Sequence, residues 1–207
     1  MEQRSEQWFE IRRGKLTASR IADATAKTKT GWGASRKNLM AELVAERLTG
    51  ASANGYTNAA MQWGIDVEPD ARAAYEFMRD ADVVEVGFID HPNIPMSGAS
   101  PDGLVGDDGM VEIKCPQTAT HIDTLLGAPI ADKYVKQMQW QMACAGRQWV
   151  DFVSYDPRMP EELRLHTERV GRDDKIIAEL ESQAREFLEE LAQMESRLRA
   201  LTQKEAA

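Results

Sequence analysis

Asp102 and, after nine intervening residues, Glu112 and Lys114 are the residues of this 207-residue chain best suited to do chemistry together. Glu112-Ile113-Lys114 reads as strand. Alternation along a strand puts Glu112 and Lys114 on one face and turns Ile113 into the core. Where the preceding hairpin brings Asp102 alongside, two carboxylates and an ammonium converge on one point. Hard oxygen donors of this kind suit Mg²⁺ or Mn²⁺, which keep waters for chemistry. A lysine beside them can orient or help deprotonate an attacking water and stabilise charge on a phosphate. A plainer reading stays open on pattern alone: Glu112 and Lys114 as an exposed strand pair, and Asp102-Gly103 as a common turn. Cys115-Pro116 follows at once, and a proline there ends the strand and leaves the polar pair at its tip.

Those residues need a sheet, and the middle of the chain supplies one. Val83 to Ile89 is a strand candidate, followed by a turn at His91-Pro92-Asn93. Met96 to Ser100 and Leu104-Val105 flank Pro101-Asp102-Gly103, and Met110 to Lys114 forms the next strand. Helix is expected over 131–145 and strands over 149–155 and 163–170. Upstream, Ser5 to Arg13 reads as a short amphipathic helix carrying Trp8, Phe9 and Ile11 and ended by Gly14. Thr17-Ala18-Ser19 is expected to cap a second helix through Ile21 and Ala24. Residues 27–34 read as a basic, glycine-hinged loop, and Ser35 caps a helix through Leu48 that stops at Gly50. Residues 51–57 form a loop of small residues. From Asn58 to Arg79 the pattern is helical, bent or divided at Gly64 and Pro69.

The C-terminal stretch has the clearest period. Ile177, Leu180, Ala184, Phe187, Leu191, Met194, Leu198 and Leu201 are spaced by three and four in alternation, which marks a single apolar seam on a long helix. Such a seam packs along its own domain or against another copy. The expectation is an α/β chain with a mixed central sheet flanked by helices. It forms one domain over 1–207: a helical region 1–80, a sheet core 81–170 and a C-terminal helix 173–203.

Composition narrows the class. At 43% hydrophobic and 29% charged residues, the balance is that of a globular protein and excludes global disorder. No apolar run approaches the roughly 20 residues a membrane helix needs. The N-terminus lacks the apolar stretch of a secretory signal, so a reduced cytoplasmic setting is expected. The two cysteines, Cys115 and Cys144, are too few for a disulfide scaffold, and the three histidines lack metal-ligand spacing. Net charge is −9, yet residues 1–50 carry ten Lys/Arg against six Asp/Glu. An acidic total disfavours binding to nucleic acid, whereas a local basic face permits it.

Six blocks taken together carry a resemblance: Leu16-Thr17-Ala18-Ser19, Trp63-Gly64 through Asp70-Ala71-Arg72, Ser100-Pro101-Asp102-Gly103-Leu104, Glu112-Ile113-Lys114-Cys115-Pro116, Gln137-Met138-Gln139 and Tyr155-Asp156-Pro157-Arg158-Met159. The chain resembles the lambda-exonuclease-like alkaline exonucleases, the YqaJ-type viral recombinases of the PD-(D/E)XK nuclease superfamily. That resemblance implies a restriction-endonuclease-like core and a processive, Mg²⁺-dependent 5′-to-3′ exonuclease with two ions per site. It would act on duplex DNA ends bearing a 5′ phosphate and leave 3′ single-stranded overhangs. Asp102, Glu112, the Ile113 carbonyl and Glu68 would hold metal, with Lys114 and Gln137 at the nucleophilic water. Arg12, Thr17, Ser19 and Ser100 match a pocket for the terminal phosphate, with Arg13 in place of Arg12 if the helix phase differs. Met61 lies where the family places a wedge between terminal bases, although methionine is more often core. Lys29, with Lys15, Arg20, Lys27, Arg36 and Lys37, is a candidate for contacts to the DNA backbone, and Trp32 for DNA or a neighbouring subunit.

The resemblance further implies a homotrimeric ring around DNA, a single-strand annealing protein as partner, and a phage or prophage origin in a bacterial host. Departures from the pattern lie in a shorter N-terminus, a different basic loop at 27–34, and the seam helix after Met159. Two other readings stand beside this one: an endonuclease of the same superfamily, and a non-catalytic scaffold that binds DNA ends.

Overall fold

Strand alternation over residues 103–114 puts Val105, Val111 and Ile113 on one face of a sheet and Met110, Glu112 and Lys114 on the other, and the helices cover those two faces differently. In the computed structural model, which describes residues 2–29, 31–52 and 58–204, the N-terminal part comprises α1 (Glu6–Arg12), β1 (Leu16–Thr17), a 3-10 turn (Ala18–Arg20) and α2 (Ile21–Ala24). A small hairpin, β2 (Lys27–Thr28) and β3 (Gly31–Trp32), leads to α3 (Ala34–Thr49) and α4 (Ala59–Arg79). Five short strands follow: β4 (Val83–Val84), β5 (Ile89–Asp90), β6 (Ser97–Ala99), β7 (Gly103–Val105) and β8 (Gly109–Lys114). Then come α5 (Thr118–Leu125), α6 (Asp132–Ala145), β9 (Trp149–Tyr155), β10 (Leu165–Gly171) and α7 (Asp174–Lys204).

The central sheet runs β10-β9-β8-β7-β4 and a smaller one β1-β6-β5. Within the central sheet β8 and β9 pair in parallel, with Glu112 opposite Phe152, and the other pairs are antiparallel. A parallel pair needs a crossover, and α5 and α6 provide it. Helix α4 packs on the Val111–Ile113–Val153 face through Val67, Ala71 and Tyr75. Helix α6 packs on the other face, where Met138 and Met142 meet Met110, Val150 and Phe152. Beyond α6, Trp140 joins Leu16, Ile21, Leu39 and Leu43 to Leu180, Phe187 and Leu191 of α7. The first five positions of the seam, Ile177 to Leu191, are thus core of this chain, while Met194, Leu198 and Leu201 remain partly exposed.

Several expectations are corrected. The strand expected over 83–89 is two strands in two sheets, β4 on β7 and β5 on β6. Helix α4 runs unbroken through Gly64 and Pro69, because its buried stripe against the sheet outweighs the local cost of both residues. Gly33, not Ser35, is the N-cap of α3. Thr17 and Ser19 make no side-chain cap on the turn that precedes α2. Within the stretch read as a loop, Lys27–Thr28 and Gly31–Trp32 pair as antiparallel strands, with Trp32 beneath the Arg36 guanidinium, 3.9 Å away. Helix α5 has no counterpart in the expected elements, and the small-residue loop lies, over 53–57, outside the described residues.

Candidate active site

The alternation that hides Ile113 aims Glu112 at α6. Gln137 and Gln141, one helical turn apart, both donate to it: Gln137 Nε2 to Oε1 and Gln141 Nε2 to Oε2, each at 2.6 Å. Lys114 Nζ also donates to Glu112 Oε1. Glu112 is 1% exposed, so the reading of an exposed strand pair does not hold. Asp102 arrives from the turn before β7 and is tied to β8 by a hydrogen bond from the Ile113 N–H to its Oδ2, 2.7 Å. Burial and then the charge of Glu112 push the Asp102 carboxyl well above its ordinary range, with Lys114 and the Ile113 N–H pulling the other way. Burial lowers Lys114, but Glu112 and Asp102 outweigh it and raise its pKa.

Glu68 sits in the middle of α4 with its side chain 13% exposed and both oxygens engaged: Arg72 Nη2 donates to Oε1 at 2.8 Å and Arg4 Nη2 to Oε2 at 2.5 Å. It is not a plain surface residue ahead of Pro69.

Beside the carboxylates lies a group built to take an anion. Arg12, at the end of α1, donates to Ser100 Oγ at 3.1 Å, and Trp8 Nε1 donates to the same oxygen at 3.0 Å. The Arg12 guanidinium stacks on Trp8, 3.7 Å from the ring centroid. The turn after α1 is locked by Gly14, whose N–H donates to Glu46 and whose carbonyl accepts from Arg47, both at 2.8 Å. Gly14 has φ +68°, and a Cβ there would meet the Arg47 side chain at 2.6 Å, so glycine is required. Burial lowers the Arg12 pKa to about 10 against the opposing pull of Glu46. Thr17 Oγ1 lies 3.3 Å from Ser19 Oγ, and β1 runs parallel to β6, which leads directly to Ser100. Neither hydroxyl caps the turn that follows, and both residues line the cleft.

These two groups share one cleft of about 160 Å³, lined by Gln3, Arg4, Trp8, Arg12, Thr17, Ala18, Ser19, Ser100, Asp102, Glu112, Lys114 and Gln137. A larger concavity of about 340 Å³ on the outer end of α7 offers only the Glu195–Arg199 pair as charged lining. It has none of the grouping that chemistry requires.

Not every expected residue reaches the cleft. Met61 is exposed on the first turn of α4, so it is not core. Lys29 is exposed at the β2–β3 turn. Arg36 is 2% exposed and bonded to Ala24 O and Glu190, which withdraws it from DNA. Lys15 pairs with Asp90, and Arg20 with Asp23 and Glu42. Gln139 points away from the cleft and joins α6 to the segment between β10 and α7, donating to Gly171 O and accepting from the Asp173 N–H. His121 is buried between Ser154 and Leu163 O, and Cys115 and Cys144 are free thiols. Gln3, Arg4, Trp8 and Gln141 belong to the site without having been singled out. For Gln141 the i, i+4 spacing from Gln137 was the available signal.

Residues 7–148 match the family model of the YqaJ-like viral recombinase domain. No curated protein sequence matches the chain. Among solved structures, an alkaline exonuclease (LHK-Exo) from Laribacter hongkongensis is 51% identical, with TM-score 0.90 over 97% of this chain and 99% of that one. The same enzyme in complex with dAMP gives TM-score 0.91 over the same shares. A phage-related exonuclease from Haemophilus somnus 129PT, 17% identical with TM-score 0.66 over 89% of this chain and 96% of that one, shares the fold.

Proposed function

Since the chain belongs to the YqaJ-like viral recombinase domain family and has its PD-(D/E)XK nuclease fold, we propose that it is a DNA exonuclease that degrades one strand of a duplex from its 5′ end and leaves a 3′ overhang. The observation that carries this reading is the shared cleft. Asp102, Glu112 and Lys114 adjoin Arg12, Thr17, Ser19 and Ser100 in one pocket, so an anion-binding group and a cutting group stand side by side.

The donor set fits a divalent cation. Asp102 and Glu112 offer hard oxygens, and Mg²⁺ is ordinarily held by one or two carboxylates plus substrate phosphates rather than by an all-protein cage. Asp102, Glu112 and the Ile113 carbonyl would hold the metal, Mg²⁺ or Mn²⁺ and two ions per site, with Glu68 as a further carboxylate. When bound, the ions supply polarisation of the scissile phosphate and a more acidic attacking water.

The chain's own groups do the rest. Arg12 gives a charged donor to the terminal 5′ phosphate, Ser100, Thr17 and Ser19 give hydroxyls, and Trp8, stacked on the guanidinium, holds it in position. Lys114 orients the attacking water and stabilises charge developing on the phosphate. Gln137 holds the Glu112 carboxylate and faces the water. Met61, exposed at the head of α4, offers an apolar wedge, and Lys29 a contact to the DNA backbone. Assembly as a homotrimeric ring would gather the basic N-terminal residues around DNA and leave the acidic remainder outside. The overhang would pass to a single-strand annealing protein. The dAMP complex of the relative from Laribacter hongkongensis supports the reading, because dAMP is the kind of product such a reaction releases.

The test is digestion of linear duplex DNA carrying a 5′ phosphate on one strand, in Mg²⁺ and in EDTA, beside covalently closed circular DNA. The expected result is 5′ mononucleotides only with Mg²⁺, an intact complementary strand and untouched circles. Internal fragments would mark an endonuclease, and retained end binding without products a scaffold.

A further inference from the structure

Arg4 is held in the cleft by its backbone as well as by its charge. Its φ of +66° lies in the left-handed region, which a bulky residue rarely occupies and which concentrates at functional sites. The chain on either side is pinned. Gln3 Nε2 donates to the carbonyls of Val86 and Pro101 at 2.8 Å each, and Ser5 caps α1 through the Trp8 N–H. From this fixed base the Arg4 side chain lines the pocket with Arg12, Asp102, Glu112 and Lys114 and donates to Glu68 Oε2. The other Glu68 oxygen is held by Arg72, whose side chain is 13% exposed, whereas that of Arg4 is 42% exposed. Lys114 is already committed to Glu112. Of the three carboxylates, Glu68 is the one whose partner on the cleft side can swing away into solvent.

We propose that Arg4 is a built-in counter-ion for Glu68, which it occupies while no divalent cation is bound and releases when one binds. The proposal rests on the metal-dependent reading above and adds the order in which that site assembles. An oxygen accepting from a guanidinium is closed to a cation, so the ion must compete with Arg4 for it. Pairs this exposed are weak, so the competition costs only a few-fold in affinity. That is enough to keep crowded carboxylates compensated between turnovers without shutting the metal out.

The test measures Mn²⁺ binding to the whole protein without DNA, by the loss of the free-ion signal in electron paramagnetic resonance, for the unaltered chain, Arg4→Gln, Glu68→Gln and the double variant. Removing Arg4 is expected to tighten Mn²⁺ binding by about three- to fivefold, and that gain should vanish when Glu68 is also replaced. A gain that persists with Glu68→Gln would make Arg4 a distant charge only, and the absence of any gain would likewise overturn the proposal. Asp102→Asn serves as the separate control. If it leaves Mn²⁺ binding unchanged, the metal-dependent reading itself fails, whatever Arg4 does.

Discussion

Lys114 reaches into the cleft from the last position of β8 and takes its place from Glu112. Replacing it with alanine should lower cleavage by about 10²- to 10⁴-fold while binding to DNA ends, measured by gel shift, stays within a few-fold. Loss of both would remove its assigned role. Arg12 gives a second prediction. Burial disfavours its charge, yet a guanidinium stays protonated, so Arg12→Gln should abolish the preference for 5′-phosphorylated over 5′-hydroxyl ends, read as the ratio of kcat/KM for the two ends. At this scale the sequence was most legible where one residue's neighbours are local. Strand alternation suffices to bring Glu112 and Lys114 to one face. Gln141 shares the Gln137 face by its i, i+4 spacing, but that this face meets Glu112 depends on the register of α6 against β8, which no spacing within α6 reveals. Arg4 was out of reach because its place follows from a left-handed turn at a non-glycine residue.

Among the elements, two glycines separate what the helices tolerate from what the sheet demands. Gly64 lies within α4, and a Cβ there would meet nothing within 4 Å. Gly64→Ala should therefore stabilise the chain by about 0.5–1 kcal/mol, seen as a higher Tm. Gly103 opens β7 directly after Asp102, and a Cβ there would fall 2.1 Å from Val83 Cγ1 of β4. Gly103→Ala should cost about 1–3 kcal/mol through overpacking and, by moving β7, displace Asp102. Both a lower Tm and slower single-turnover cleavage are expected, and an unchanged cleavage rate would show that β7 yields without disturbing its neighbour. Long periodic segments such as α3, α6 and α7 were legible because their apolar stripes repeat. The division of 83–89 between two sheets was not, because Val86 and Gly87 sit inside an apolar run and only tertiary pairing tells β4 from β5. The same limit hid the continuity of α4. Gly64 and Pro69 signal a break locally, while the stripe of Val67, Ala71 and Tyr75 against the sheet keeps the helix continuous across them.

For the molecule as a whole, charge and the uncovered end of α7 lead to one measurement. The net charge of −9 coexists with a basic excess confined to residues 1–50, and the α7 seam continues past the core as Met194, Leu198 and Leu201. A ring of three copies should read in light scattering as three times the 23.2 kDa chain, and a monomeric mass would sink that part of the proposal. The path from Ser100 to Asp102 carries a further consequence. Two residues span at most about 7 Å of chain, so a terminal phosphate seized at Ser100 and a bond cut at Asp102 would be separated by a gauge made of the backbone itself. A gauge that short admits a single nucleotide, which would make every product the same size. Each cut would also leave the new 5′ end one stride from the place where it must next be held, so that a cleft fixed in this way turns repeated cutting into steady travel along the strand.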